Sequence, residues 1–200
     1  MMALRAGFRD PVHAAQAVFR AAMDALSRPA CIQALAPALT PPEPLTAELA
    51  GLALALCDAD TPIWLDAPLA AVPEVAAYLR FHTGAPLVAA AGEAAFALIA
   101  DPAACPDFVA FAQGTPDYPD GSATLILAVD HLTDRRGLAF SGPGIRDLAY
   151  LEAAPLPADW SARLAANHAL FPRGLDILLV APGRIAGLPR SARLREAAEA

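Results

Sequence analysis

The run ATLILAV, residues 123–129, decides the fold. It is apolar except for Thr124, it is bounded by Gly121-Ser122 on one side and Asp130 on the other, and it is too short for a stable helix. A continuous apolar run of this length reads as a strand buried on both faces, as in a parallel sheet sandwiched between other layers. A second run, DILLV at 176–180, has the same character. Two such strands need covering elements on both sides.

Working outward, the chain supplies those elements. Asp10-Pro11 is a helix start, with an acid as N-cap and proline at the first helical position. Val12, Ala15, Phe19, Ala22, Met23 and Leu26 then recur at helical spacing and form the expected core stripe, while His13, Gln16, Arg20 and Asp24 take the opposite face. Pro29 ends this helix. Thr46–Cys57 reads as a buried Leu/Ala-rich helix, Pro73–Phe81 as another stopped by Gly84, and Trp160–Phe171 as a fourth. Phe108–Gln113 is a short helical piece. Shorter strands are predicted at Cys31–Leu35, Ile63–Leu65, Pro86–Val88, Ala95–Ile99, Leu138–Ser141 and Ile185–Leu188. Alternation early in the chain and crowded strands late in it predict a three-layer αβα domain with a mixed sheet. The domain is expected to span residues 1–190, with 191–200 as a flexible tail.

Composition narrows the chemistry. The chain has 200 residues, a net charge of −7 and 56% hydrophobic residues, of which 51 are alanine. All 14 cationic side chains are arginine, and lysine is absent. A Walker-type phosphate loop and an internal aldimine with pyridoxal phosphate both need that lysine, so both are excluded. The acidic balance and the lack of a basic stripe argue against nucleic acid and anionic membrane as partners. No stretch is long and apolar enough to span a bilayer. MMALRAGFRD at the start lacks the apolar region of a secretory signal, so a cytoplasmic location is expected. Cys31, Cys57 and Cys105 lack the CxxC spacing of a zinc site and suggest buried reduced thiols.

Several segments offer donors for chemistry. Arg80-Phe81-His82-Thr83-Gly84 brings a guanidinium, an imidazole and a hydroxyl together. It reads either as an anion site, with Arg80 as clamp and His82 as proton carrier, or as a helix C-terminus in which cations meet the last carbonyls and glycine stops the helix. Ser141-Gly142-Pro143-Gly144 follows a strand. Its glycines would let backbone amides cradle a phosphate, but Pro143 removes one amide and a tight turn explains the sequence equally. Asp58 and Asp60 fit turn chemistry better than a metal site. Asp176 stands at the start of the DILLV strand, where an acid can bond loop amides. Histidines 13, 82, 131 and 168 show no paired spacing, and there is no GxSxG elbow. No catalytic residue, metal or cofactor is assigned.

Six segments taken together, DPVHAAQAVFRAAMDALSRPA, CDADTPIWL, RFHTGAP, GTPDYPDGSATLIL, FSGPGI and NHALFPRGLDILLV, resemble the PhnH family of the bacterial carbon–phosphorus lyase system. The likeness runs from about Phe8 to Arg190. It implies a homodimeric α/β fold related to the pyridoxal-phosphate transferases but without the cofactor. It implies an accessory subunit assembled with PhnG, PhnI and PhnJ, and working with PhnL. That machinery places an alkylphosphonate on ribose and displaces adenine from MgATP, after which PhnJ breaks the carbon–phosphorus bond. The family carries no established catalytic residue onto this chain. Its matching positions include Arg80, His82, Thr83, Ser141, Gly142, Gly144 and Asp176, the candidates for ligand or interface contacts. The alternative is a nucleotide- or phosphonate-binding subunit that contributes Arg80 and His82 to an active site. The dimer contact is expected on the polar–apolar boundary of the first helix and the RFHTG turn.

Overall fold

The structure is a computed structural model that describes residues 4–195. Its centre is a seven-stranded mixed sheet. In spatial order the strands are β1 (Gln33–Ala34), β9 (Arg184–Leu188), β8 (Asp176–Ala181), β5 (Thr124–Ala128), β4 (Phe96–Ile99), β2 (Ile63–Leu65) and β3 (Leu87–Val88). The five from β8 to β3 are parallel, and β9 and β1 close the other edge antiparallel. Thus ATLILAV supplies the middle strand, in register with DILLV from Thr124 opposite Asp176 to Ala128 opposite Val180.

The two runs are apolar throughout because alternate side chains enter two cores. Ile126, Leu178 and Val180 point into one, and Leu125, Leu127, Ile177 and Leu179 into the other. On the first face lie α1 (Pro11–Ser27), α2 (Ala47–Leu56), the short α3 (Ala67–Ala70) and α4 (Pro73–Thr83). Asp10 caps α1 by accepting a hydrogen bond from the His13 amide, and Thr46 caps α2 through the Leu49 amide. Gly84 ends α4 in the left-handed conformation, at φ 71°.

The second face departs from the expected helical layer. Helix α5 (Trp160–Ala169) covers part of it, with 3-10 turns at Pro102–Ala104 and Phe108–Ala110. The remainder is an antiparallel sheet of β10 (Arg193–Arg195), β6 (His131–Ser141) and β7 (Ala149–Ala154). β6 starts seven residues before the predicted strand, and its register with β7 breaks between Thr133 and Leu138, so Asp134–Gly137 bulges out. Within the expected flexible tail at 191–200, part of the described stretch forms β10. Arg193–Arg195 pairs with β6, and Leu194 packs on the second core. Residues 196–200 lie outside the described residues.

Helix α1 is the main correction to the core. Its buried residues are Val18, Ala22 and Ala25, whereas Val12, Phe19 and Met23 are 62%, 50% and 50% exposed. The helix carries two stripes, and the sheet takes the one with smaller side chains. The reason is proximity. A Cβ on Gly187 of β9 would lie 2.6 Å from the Ala25 carbonyl oxygen, so helix backbone meets strand backbone there. Phenylalanine and methionine cannot fit such a contact, and they face outward.

Candidate functional site

The segments singled out for chemistry fold into separate brackets, each largely closed within the chain. At the end of α4, the Thr83 hydroxyl donates to the Leu79 carbonyl at 2.8 Å and accepts from the Ala85 amide at 3.0 Å. The Gly84 amide donates to the Arg80 carbonyl. His82 Nε2 lies 3.0 Å from the Arg5 carbonyl oxygen. That oxygen only accepts, so Nε2 carries the proton. The Tyr78 hydroxyl donates to the Ala6 carbonyl at 3.3 Å, and Gly7 sits against the His82 ring with no room for a Cβ. His82 and Tyr78 therefore hold residues 5–7 across α4. Thr83 and Gly84 close the helix end on itself, whereas His82 bonds the Arg5 carbonyl, outside α4. The exposed Arg80 guanidinium makes no ion pair or hydrogen bond among the described residues.

Ser141-Gly142-Pro143-Gly144 forms a tight turn at the end of β6, with the Ile145 amide donating to the Gly142 carbonyl at 3.1 Å. Gly142 and Gly144 have φ of 135° and 82°. A Cβ on Gly144 would collide with the Ser27 carbonyl oxygen, and one on Gly142 would lie 2.8 Å from that of Ser191. Gly144 thus serves close packing against the C-terminal end of α1, and Gly142 against the segment before β10. The RFHTG segment lies instead beside the chain leading into the start of that helix, which is 17 residues, or about 25 Å, long. The fold does not bring Arg80 and His82 to the Ser141–Gly144 turn.

Asp176 forms a third bracket at the N-terminal ends of β5 and β8. Its carboxylate accepts from Arg190 at 2.6 Å (Nη2), 3.2 Å (Nε) and 2.9 Å (backbone amide). Arg190 Nη1 donates to the Pro119 carbonyl. Beside it, buried Asn167 donates to the Leu175 carbonyl at 2.9 Å and accepts from the Leu175 amide at 2.7 Å. The Gly174 amide donates to the Gln113 carbonyl. The GTPDYPDGS and FPRGLD segments are tied together here, and the expected bonding of Asp176 to a loop amide is joined by an ion pair.

Sequence reasoning passed over Asp66, at the carboxyl ends of the parallel strands where ligands of such sheets commonly bind. It is 5% exposed. Its carboxylate accepts from the amides of Leu69 (3.3 Å), Ala100 (2.7 Å) and Asp101 (2.8 Å). Burial raises its pKa above the usual 3.8 despite these three donors. The signal was present: Asp66 stands before Ala67-Pro68 much as Asp10 stands before Pro11, an acid capping a helix that opens with proline. Nearby, Arg163 donates to the carbonyls of Cys105 and Pro106 and to Asp159, and burial pushes the Cys105 thiol up to about 11. This corner is a saturated polar knot. Among the described residues no three His, Cys, Asp or Glu side chains gather as metal ligands.

One open feature among the described residues is the outer stripe of α1. Val12, Ala15, Phe19 and Met23, with Ala55 of α2, line a shallow cavity of about 490 Å³ flanked by Gln16 and Arg20. Three large apolar side chains are thus held out on one helix face.

Comparison with known proteins agrees with the resemblance. Residues 6–195 match the family described as "Bacterial phosphonate metabolism protein (PhnH)". A protein of Rhizobium meliloti (strain 1021) is 41% identical over 187 residues, covering 94% of this chain and 93% of the relative. That relative is named alpha-D-ribose 1-methylphosphonate 5-triphosphate synthase subunit PhnH. A putative C-P lyase subunit protein, HtxG, of Stutzerimonas stutzeri is 28% identical over 81 residues, covering 40% of this chain and 42% of its own.

Proposed function

The chain belongs to the PhnH family, and from that premise we propose that it is an accessory subunit of the alpha-D-ribose 1-methylphosphonate 5-triphosphate synthase assembly in phosphonate catabolism. The observation that carries this reading is the outer stripe of α1, where Val12, Phe19 and Met23 remain half or more exposed. A chain whose polar brackets are internally satisfied and whose helix face is apolar is built to associate. The reaction then belongs to the assembly, and this subunit has no turnover of its own. Its partners are a second copy and the PhnG, PhnI and PhnJ subunits, with PhnL acting alongside, in the cytoplasm. Its scaffold is related to the pyridoxal-phosphate transferases. The absence of lysine from the sequence agrees with a scaffold that has no aldimine.

Co-expression with PhnG, PhnI and PhnJ tests the proposal. The expected result is one large particle containing this chain, lost when Phe19 and Met23 are both changed to Ser. Isolation of this chain free of its partners in every co-expression would overturn it.

One observation favours a second reading. Arg80 presents a guanidinium with no partner among the described residues, as a ligand contact requires. In that reading the subunit binds a nucleotide or phosphonate through Arg80, with His82 recruited by release of residues 5–7. Calorimetric titration with ATP and methylphosphonate distinguishes the two. Heat that disappears in Arg80→Ala supports binding, and no heat at millimolar ligand rejects it for the isolated chain.

A further inference from the structure

The outer strands of the two sheets are not alike. β1 and β3 end the central sheet as two-residue stubs. β10 is three residues long and carries Arg193 and Arg195, charges of the kind that keep an edge from pairing. β7 runs six residues, Ala149–Ala154, and ends the three-stranded sheet with β6 on one side only. Every second residue of such a strand turns its N–H and C=O away from its neighbour. No other described strand receives those of β7.

β7 also lacks the usual guards of an edge. It holds no proline, lysine or arginine, and Pro155 comes only after its end. Its one charge, Glu152, is met by Arg136 Nε at 2.9 Å. Large apolar side chains flank it: Tyr150 is 42% exposed, and Leu148, just before the strand, 48%. Ala149, Leu151 and Ala153 face the second core, so Tyr150, Glu152 and Ala154 share the outer face.

We propose that β7 is the contact between two copies of this chain, paired antiparallel about a two-fold axis at Leu151 into one six-stranded sheet. The strand is complementary to itself in this register. Tyr150 lies opposite Glu152 of the second copy, Ala149 opposite Ala153, and Leu148 opposite Ala154. A phenol hydroxyl is paired with a carboxylate, apolar groups meet apolar groups, and the two Glu152 charges stay apart. An axis at residue 152 would set those carboxylates face to face, a destabilising pair. The joined sheet then ends on β10 of each copy, with its arginines. The inference rests on the second-copy part of the proposed function and gives it a surface in place of the first helix and the RFHTG turn. That surface lies across the central sheet from the α1 stripe, which is left to the other subunits.

Analytical ultracentrifugation of the full chain without partners tests the contact. A reversible dimer is expected in the micromolar range. Tyr150→Glu sets carboxylates opposite each other at two places in the pair, whereas Tyr150→Arg sets opposite charges there. The dimer dissociation constant should be about tenfold or more higher for Tyr150→Glu than for Tyr150→Arg. Should either variant fail to fold, amide exchange in the parent chain decides, and exchange at 149–154 should quicken on dilution to the monomer. Equal dissociation constants for the two variants, or exchange at 149–154 indifferent to dilution, would overturn the proposal. So would a chain that stays monomeric throughout the micromolar range, and if that monomer still enters the co-expressed particle, the subunit reading stands without this contact.

Discussion

The polar brackets and the outer face of α1 obey opposite rules. Asp66, Asp176, Asn167 and His82 each find hydrogen-bond partners inside the chain. On α1, Val12, Phe19 and Met23 remain half or more exposed to water. Residues of the first kind spend their chemistry on holding loops and helix ends, so their replacement is felt in stability. Residues of the second kind contribute little to the isolated fold, so their replacement is felt in association. Substitutions can separate the two regions.

The largest stability loss is expected from Arg190→Ala. It removes a two-point ion pair and the bond to Pro119, and leaves Asp176 partly buried without its cation. The expected cost is about 2–4 kcal/mol in urea unfolding. An unchanged midpoint would make this bracket a surface ornament.

Asp66→Asn comes next, at about 1–3 kcal/mol, because an amide nitrogen cannot accept from the Ala100 and Asp101 amides. Its pH dependence has a definite sign. Burial raises the folded pKa above 3.8, so between that value and the folded one the native state binds the extra proton. The contribution of this titration to stability is full below 3.8 and is lost as pH rises through the folded pKa. The stability difference between the parent chain and Asp66→Asn should therefore shrink from acid toward neutral pH. A difference that grows over that range would contradict the assigned direction.

His82→Ala removes one bond to the Arg5 carbonyl and should cost about 0.5–1.5 kcal/mol. The loss should be local, and amide hydrogen exchange should quicken first at residues 5–7. The smallest effect on the isolated chain is expected for Phe19→Ser, within about 0.5 kcal/mol. The same variant should weaken co-purification with partner subunits. If it instead unfolds the chain, α1 is held by its outer stripe and the contrast fails.

Legibility in the sequence followed physical distinctness. ATLILAV and DILLV could be read because strands buried on both faces leave little room for another pattern. Helix α2 was readable for a similar reason, since Leu49 to Ala53 are all buried. Helix α1 was readable as a helix, from Asp10-Pro11, but not in orientation. It has two apolar stripes, and the choice between them rests on Gly187, more than 160 residues later. β7 was missed because Ala149–Ala154 has three alanines and a glutamate, and its strand state comes from pairing with β6. In the candidate site, Gly84 as a helix stop was visible locally. The partner of Asp176, the closed state of His82 and the Ala100 and Asp101 partners of Asp66 depend on contacts made across the chain.

The rim of the central sheet has a consequence for assembly. Its outermost strands, β1 and β3, are each two residues long. Such stubs offer almost no free backbone for a foreign strand to zip onto. Growth of this sheet by adding strands from neighbours is thereby discouraged, which protects an alanine-rich protein from fibrous stacking and leaves specific recognition across this part of the molecule to side-chain shape.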